Sequence, residues 1–478
     1  MNDFFMEINE DLNISFFICE GEKIFEEEQQ EIYLFGHIIK REESLKEIVT
    51  NYKENRTISE NINGNYVLVL NDKYRKEIRV IPDKMGGHKN IYYVKYKNKY
   101  YISTSVKGFE KIGFNKKFNY AVLDEFIYNG VIKTKDTLIC GMYKLLVDEY
   151  LFFDKNCAET RKRKVNNDLL PSISVSELYE YEKNIIEDYI EECGSKAGNI
   201  NLALSGGYDS NLILHIARQF KKYDISAYTC GGNRGADETT EAENICKIYG
   251  DVSLNTCFVD GNILNEMSEI VERLEGALYE RGIYMQYALA KKLFHNGVRF
   301  MVLGECADQI FNINYYRNGS KQFLMNYRDN PKELGTMLVL KKSVLTLSSF
   351  GITGLYPFID NRMIKIGQTT AEYNETSKKF QKYMCGEFLA DEVKTIIGKK
   401  PGSTSLAALF ADEESENKFI QYVQKTNEFY DPDFRISFKY GERESILDYY
   451  LCLEYLKCFK QKFCNRYCSR VCISHCKK

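Results

Sequence analysis

The sequence predicts an α/β chain in two parts, an antiparallel β region with covering helices followed by a doubly wound domain on a parallel sheet. Three observations carry this. Up to about residue 110, short apolar runs rich in Ile, Val, Phe and Tyr alternate with turn residues, as antiparallel strands do. Beyond Pro171, helical periods alternate with single apolar runs, as in βαβ units. And Asn201-Leu-Ala-Leu204 runs into Ser205-Gly206-Gly207-Tyr208-Asp209-Ser210, after which helical periodicity starts at once: strand, glycine turn, helix.

With 478 residues, each part is long enough to bury its own core. The boundary is placed in the polar, basic stretch 156–167, giving parts 1–165 and 166–478. Lys and Arg total 65 against 68 Asp and Glu, a net charge of −3, so no broad basic field draws nucleic acid. No apolar run reaches the ~18 residues a membrane span needs, and the opening Met1-Asn2-Asp3-Phe4 lacks a basic signal region; a cytoplasmic protein is expected. Fifteen cysteines, mostly scattered and many in apolar contexts, read as buried small hydrophobes of a reducing compartment, not a disulfide framework.

In order, strands are predicted at 4–8, 14–18, 32–35, 64–70, 77–81, 91–94 and 100–104, with one helix over 43–52. A helical pattern over 119–130 precedes further strands to residue 154. Ser174-x-x-Glu177 forms a capping box opening a helix whose apolar positions include Ile185, Ile186, Tyr189 and Ile190. A strand over 225–230 follows the glycine loop, and Asp237-Glu238 then caps a helix. After a helix over 285–294, an apolar strand from Arg299 ends at Gly304-Glu305-Cys306-Ala307-Asp308-Gln309.

The chemistry converges on the glycine loop. Its backbone N–H groups and the positive end of the next helix point to one place, where phosphate binds well. Gly206 and Gly207 allow close approach and positive φ. Ser205 and Ser210 add hydroxyls, and Asp209 can hold a magnesium ion bound to the same phosphates. An ordinary βα turn would not need these polar groups. Glu305 and Asp308, at the carboxyl end of a parallel strand, suit the crevice where such sheets place ligands. No Gly-x-Ser-x-Gly, His-Glu-x-x-His or GxGxxG pattern occurs, and His215 is expected in the core.

Ser205-Gly-Gly-x-Asp209-Ser210 resembles the pyrophosphatase loop of the ATP pyrophosphatase (PP-loop) superfamily, to which asparagine synthetases belong. Gly64 through Asp83, Gly86, Tyr92 and Tyr93 to Ser103 resembles their N-terminal glutaminase domain. The resemblance implies an Ntn-hydrolase-like αββα sandwich followed by a PP-loop synthetase domain that cleaves ATP to AMP and pyrophosphate through an acyl-adenylate. It places Leu204, Ser205, Gly206, Gly207, Asp209, Ser210 and Gly304 on ATP and pyrophosphate, with Thr229 and Cys230 beside the adenine. Magnesium falls to Asp209 and Asp308, and Glu305 serves the reacting amine or positions the acyl group. Gln309 replaces a family glutamate. Gly351-Ile-Thr353-Gly-Leu355-Tyr-Pro357-Phe358-Ile-Asp360 is similar to a family segment in which Thr353 and Leu355 replace Glu and Arg, implying a more apolar acceptor pocket. Lys400, with Lys399 second, matches a lysine that stabilises charge as the adenylate forms and is attacked.

The family glutaminase uses a cysteine at position 2, its α-amine serving as base. Here Asn2 and Asp3 stand there, and Cys19 lies inside the chain. A retained but silent glutaminase domain is expected, with the amine supplied by the substrate. Relatives of that kind include lasso-peptide macrolactam synthetases and β-lactam synthetases; Glu305 stands where the β-lactam branch carries tyrosine. The expectation is an ATP-dependent ligase closing a macrolactam on a peptide that bears both carboxylate and amine, working beside a leader-peptide-binding or protease partner protein. A tRNA-modifying PP-loop enzyme is disfavoured by the charge balance; a nucleotide-binding scaffold is the rival that Thr353, Leu355 and Gln309 keep open. The tail has no family parallel: Cys458, Cys464, Cys468, Cys472 and Cys476 beside His475 read as a metal site, a docking element or a basic helix with incidental thiols.

Overall fold

The computed structural model describes residues 3–27, 29–58, 61–83, 89–147, 149–163, 175–232, 239–310, 338–373, 388–397, 406–436 and 442–464. In the first part, strands β1 (Phe4–Ile8), β2 (Ile14–Cys19), β3 (Glu22–Glu27), β4 (Gln30–Ile38), β5 (Gly64–Asp72), β6 (Glu77–Pro82), β7 (Tyr92–Tyr96), β8 (Lys99–Ser103), β9 (Tyr143–Lys144), β10 (Glu149–Phe153) and β11 (Ala158–Lys162) form two antiparallel sheets. Their orders are β2-β1-β8-β7-β9 and β11-β10-β6-β5-β4-β3.

Alternation decides what each face buries. Phe4, Met6 and Ile8 of β1 meet Phe35, Val67 and Val69 of the second sheet in the space between the two. The intervening Tyr66, Leu68 and Leu70 turn the other way, onto Ile48 and Tyr52 of the helix Arg41–Asn55. Two facing sheets with helical cover are the sandwich the sequence implied. The pattern over 119–130 resolves into a 3-10 turn, Tyr120–Val122, and a short helix, Leu123–Asn129. Part of the stretch taken as linker is β11, paired antiparallel to β10.

The second part holds β12 (Ile200–Ala203), β13 (Ile225–Gly232), β14 (Val252–Val259), β15 (Phe300–Val302) and β16 (Thr353–Leu355), in the order β14-β13-β12-β15-β16 with parallel ladders throughout. β12 comes first in the chain yet lies in the middle, so the winding reverses between β12 and β15. That reversal opens a crevice at the carboxyl ends of these two strands. Helix Val175–Ala197 packs on β12 and β15, and helices Thr239–Tyr249 and Ile283–His295 pack on β13 and β14.

The two parts share polar seams. Asn65 Nδ2 donates to the Gly354 carbonyl at 2.7 Å, Tyr279 N to the Gly130 carbonyl at 2.7 Å, and Val106 N to the Glu275 carboxylate at 2.7 Å. One buried apolar cluster includes side chains from Phe5 to Cys464. The predicted boundary at 165/166, Ser174 of the capping box, and Asp237-Glu238 lie outside the described residues. No described helix is long and apolar enough to cross a membrane.

Candidate nucleotide and acyl-transfer site

The loop after β12 is built by its own side chains. Leu204 N continues the ladder by donating to the Tyr228 carbonyl at 2.8 Å. Gly206 then takes φ +68°, in the left-handed region that favours glycine, and Gly207 precedes the helix Tyr208–Ala217 in extended conformation. Ser205 N donates to Ser210 Oγ at 3.3 Å, and Ser210 Oγ donates back to the Gly207 carbonyl at 3.2 Å. Asn211 Nδ2 holds the same carbonyl at 2.8 Å. Among the described residues no side-chain hydrogen bond caps this helix. Its first-turn N–H groups are thus directed at whatever occupies the cradle, with Ser205 exposed at the rim.

β15 brings its end against this loop. A Cβ placed on Gly304 would stand 3.3 Å from Ser210 N and 3.5 Å from Asp209 Cβ. The missing side chain lets strand end and helix start close on one crevice without displacing either. Gly304→Val is therefore expected to lower any ATP-dependent turnover about tenfold or more and to cost about 1–3 kcal/mol of stability, and Gly304→Ala much less of both; steady-state rates across an ATP titration, with melting alongside, check it. On the neighbouring strand, buried Thr229 and half-buried Cys230 follow Tyr228, whose register partner is Ala203 at the end of β12. The structure therefore sets the predicted adenine-side pair one strand from the phosphate cradle.

Glu305 lies next to Gly304, and the residues around it come from the helix Leu338–Ser349, which the sequence reading missed. Burial pushes the Glu305 carboxyl above its ordinary range, opposed by the charge of Lys342 and a hydrogen bond with Ser343. Ser343 Oγ also receives Tyr356 OH at 3.0 Å and Gln286 Nε2 at 3.3 Å. Lys342 Nζ pairs with Glu280 at 2.9 Å. Burial works against the Lys342 charge, but Glu280 and then Glu305 outweigh it and raise the pKa. A carboxyl poised this way can take a proton from an attacking amine. The available signal was a Lys341-Lys342 doublet inside an otherwise apolar helical run.

Cys306 adopts φ +73° and is buried, which pushes its thiol pKa up and makes it inert. Thr353 and Leu355 lie on β16; Leu355 is buried and Thr353 partly so. His215 is half-buried, and burial lowers its pKa. Cys458 and Cys464 pack into the large core, the latter buried; Cys468, Cys472, Cys476 and His475 lie outside the described residues. So do Lys399 and Lys400, the side chains of Asp308 and Gln309, Gly86 and Asn2. The described residues hold no group of three or more metal-ligating side chains. A magnesium ion shared with phosphates needs only one or two carboxylates, and Asp209, in the first turn beside the cradle, fits as one of them.

Residues 185–351 match the asparagine synthase family, and residues 40–163 match the glutamine amidotransferase domain family. No curated protein matches the chain. Similar solved structures include a U34-tRNA thiolase from Methanococcus maripaludis with its [4Fe-4S] cluster, at 14% identity and TM-score 0.23, covering 48% of this chain and 78% of that one. Another is a glutamine-dependent NAD+ synthetase from Acinetobacter baumannii in complex with adenosine diphosphate, at 14% identity and TM-score 0.25, covering 69% of this chain and 64% of that one. With both family matches falling on the two sheet systems just described, the chain carries an asparagine synthase domain, which supports an ATP-using carbon–nitrogen ligase, behind an N-terminal glutamine amidotransferase-type domain.

Proposed function

We propose that the protein forms an amide between a carboxylate and an amine of the same substrate, a peptide macrolactam, at the expense of ATP cleaved to AMP and pyrophosphate. The observation that carries this reading is the closure of Gly304-Glu305 onto the Ser205–Ser210 cradle at the winding reversal. The substrate carboxylate oxygen attacks the α-phosphorus, and pyrophosphate leaves into the cradle of first-turn N–H groups and serine hydroxyls. Asp209, with Asp308, would hold magnesium, which supplies charge neutralisation on the phosphates. Lys400 is the proposed cation beside the developing charge. The amine then attacks the acyl carbon, its proton passes to Glu305, and AMP departs with the electron pair of the broken acyl–oxygen bond.

Glutamine independence is supported at the head of β1. There the Asp3 carboxylate is held by Lys89 Nζ at 2.8 and 3.1 Å and by Thr104 Oγ1 at 2.9 Å, while the exposed Cys19, opposite Phe4 on β2, is a thiol inside the chain with no α-amine of its own to serve as base. A salt-bridged acid in this place offers no nucleophile. Magnesium-ATP, labelled pyrophosphate and candidate peptides should give exchange that depends on the peptide carboxylate. Glutamine should neither be hydrolysed nor raise the product yield. No exchange with any carboxylate would leave the protein a nucleotide-binding scaffold instead; glutaminase turnover would return the nitrogen supply to the N-terminal domain.

A further inference from the structure

Cys230 and Cys257 are register partners across the ladder between β13 and β14, the one place among the described ladders where cysteine faces cysteine. Register partners on neighbouring parallel strands point to the same face of the sheet, and the strands lie about 4.8 Å apart. That separation falls inside the roughly 4.4–6.8 Å between Cα atoms that a disulfide spans. Both thiols are half-buried, so neither is sealed in the core.

The surroundings set Cys257 apart from the packing cysteines. The Cys230 thiol donates to its sulfur and holds its pKa below the ordinary value; burial opposes this, and the charge of Lys292 on the helix Ile283–His295 adds to it. In the buried Cys193, Cys246, Cys306 and Cys452, burial instead drives the thiol up. Cys257 Sγ also reaches the neighbouring strand, donating to the Thr229 carbonyl at 3.5 Å. A sulfur with a thiol donor on one side and a lysine within its field is the setting of a reactive cysteine, not of a space-filling one.

We propose that Cys230 and Cys257 are a reversible dithiol–disulfide pair, closed by small-molecule disulfides, and that closing it weakens ATP binding. The first half stands on the ladder geometry; the second rests on the adenine-side reading of Cys230. The Cys257 thiolate attacks one sulfur of the small disulfide, that S–S bond breaks, and the first small thiol leaves with the electron pair. Cys230 gives up its proton to solvent, and its sulfur attacks Cys257 in the mixed disulfide, expelling the second small thiol. Two protein thiols are oxidised and one small disulfide is reduced to two thiols, which take up the two protons the protein lost. Linking brings the two Cβ atoms to about 3.8 Å, so the carboxyl ends of β13 and β14 are drawn together. The Thr229 carbonyl loses its Cys257 donor in the same step.

Peptide mapping of the full-length protein tests the link. Trypsin leaves Cys230 as the single cysteine of 223–234 and Cys257 as that of 248–273, so a joined peptide identifies the pair. With glutathione disulfide the joined peptide should become the main form, and dithiothreitol should return both thiols. In Cys230→Ser, glutathione should stay on Cys257. ATP affinity by calorimetry should fall about fivefold or more on oxidation and recover on reduction, while Cys257→Ser should bind ATP alike in both states. The proposal falls if no joined peptide forms, if the joined protein binds ATP as the reduced one does, or if oxidised Cys257→Ser loses as much affinity as the unmutated protein. Reduced protein that binds no ATP would overturn the nucleotide reading and the second half with it, leaving the joined peptide to decide the first. Should Cys257→Ser not fold, Cys257→Ala replaces it, and the unmutated protein still decides the link.

Discussion

Asp209→Asn is expected to lower carboxylate-dependent ATP–pyrophosphate exchange by about 10²-fold or more while the protein stays folded. Asparagine keeps the shape of the side chain in the first turn of the helix Tyr208–Ala217 and removes only its charge. On stability the loss is small, because a single carboxylate beside a helix N-terminus contributes about 0.3–1 kcal/mol. On catalysis it is large, because the same carboxylate is the proposed tether for magnesium on the phosphates leaving the cradle. Calorimetric melting and exchange rates measured on one preparation separate the two effects. Exchange within threefold of the unmutated enzyme would remove Asp209 from the site.

Glu305→Gln is expected to act in opposite directions on activity and stability. The amide cannot accept the amine proton, so acyl transfer should fall by about 10²- to 10⁴-fold. Yet the folded protein should melt higher at neutral pH. The folded-state pKa of Glu305 is raised, chiefly by burial, so the protonated carboxyl suits the fold better than the carboxylate does. Glutamine resembles the protonated form. The sign follows by linkage: whatever Glu305 contributes to stability is fully present below its unfolded pKa and is lost as pH rises through the raised folded value. Variant and unmutated protein should therefore melt together in acid and diverge upward from there to neutral pH, the variant above. Parallel melting curves at every pH, or a variant that melts lower near neutrality, would show that Glu305 is stabilised as its ion.

The parts of the fold legible in the sequence are those where a local rule and the tertiary outcome agree. β1 and β5 bury both faces in separate cores, so their apolar runs showed plainly. β3 (Glu-Lys-Ile-Phe-Glu-Glu) and β11 (Ala-Glu-Thr-Arg-Lys) showed nothing, and the structure says why. They are the two outer strands of the six-stranded sheet, where charge discourages pairing with another chain and no buried face imposes a pattern. The cradle was legible because glycine, serine and aspartate follow one another within six residues, and its position at the winding reversal agrees with that reading. The network behind Glu305 was not: Glu280, Lys342, Ser343 and Tyr356 meet only because a helix far along the chain packs beside β16. No spacing rule spans such a distance.

The apolar cluster shared by both parts makes each a chaperone of the other's surface. Phe118 packs tilted against Phe429 at 5.1 Å between ring centroids, and Phe126 stacks on Tyr455 at 6.2 Å, so residues before the boundary bury residues near the far end of the ligase part. Deleting the amidotransferase-type region would leave that apolar surface facing water and set the remainder adrift toward aggregation. On the reading proposed above, the amidotransferase-type region serves the ligase part through its inner surface, which keeps these aromatic side chains out of water whatever chemistry its outer end performs.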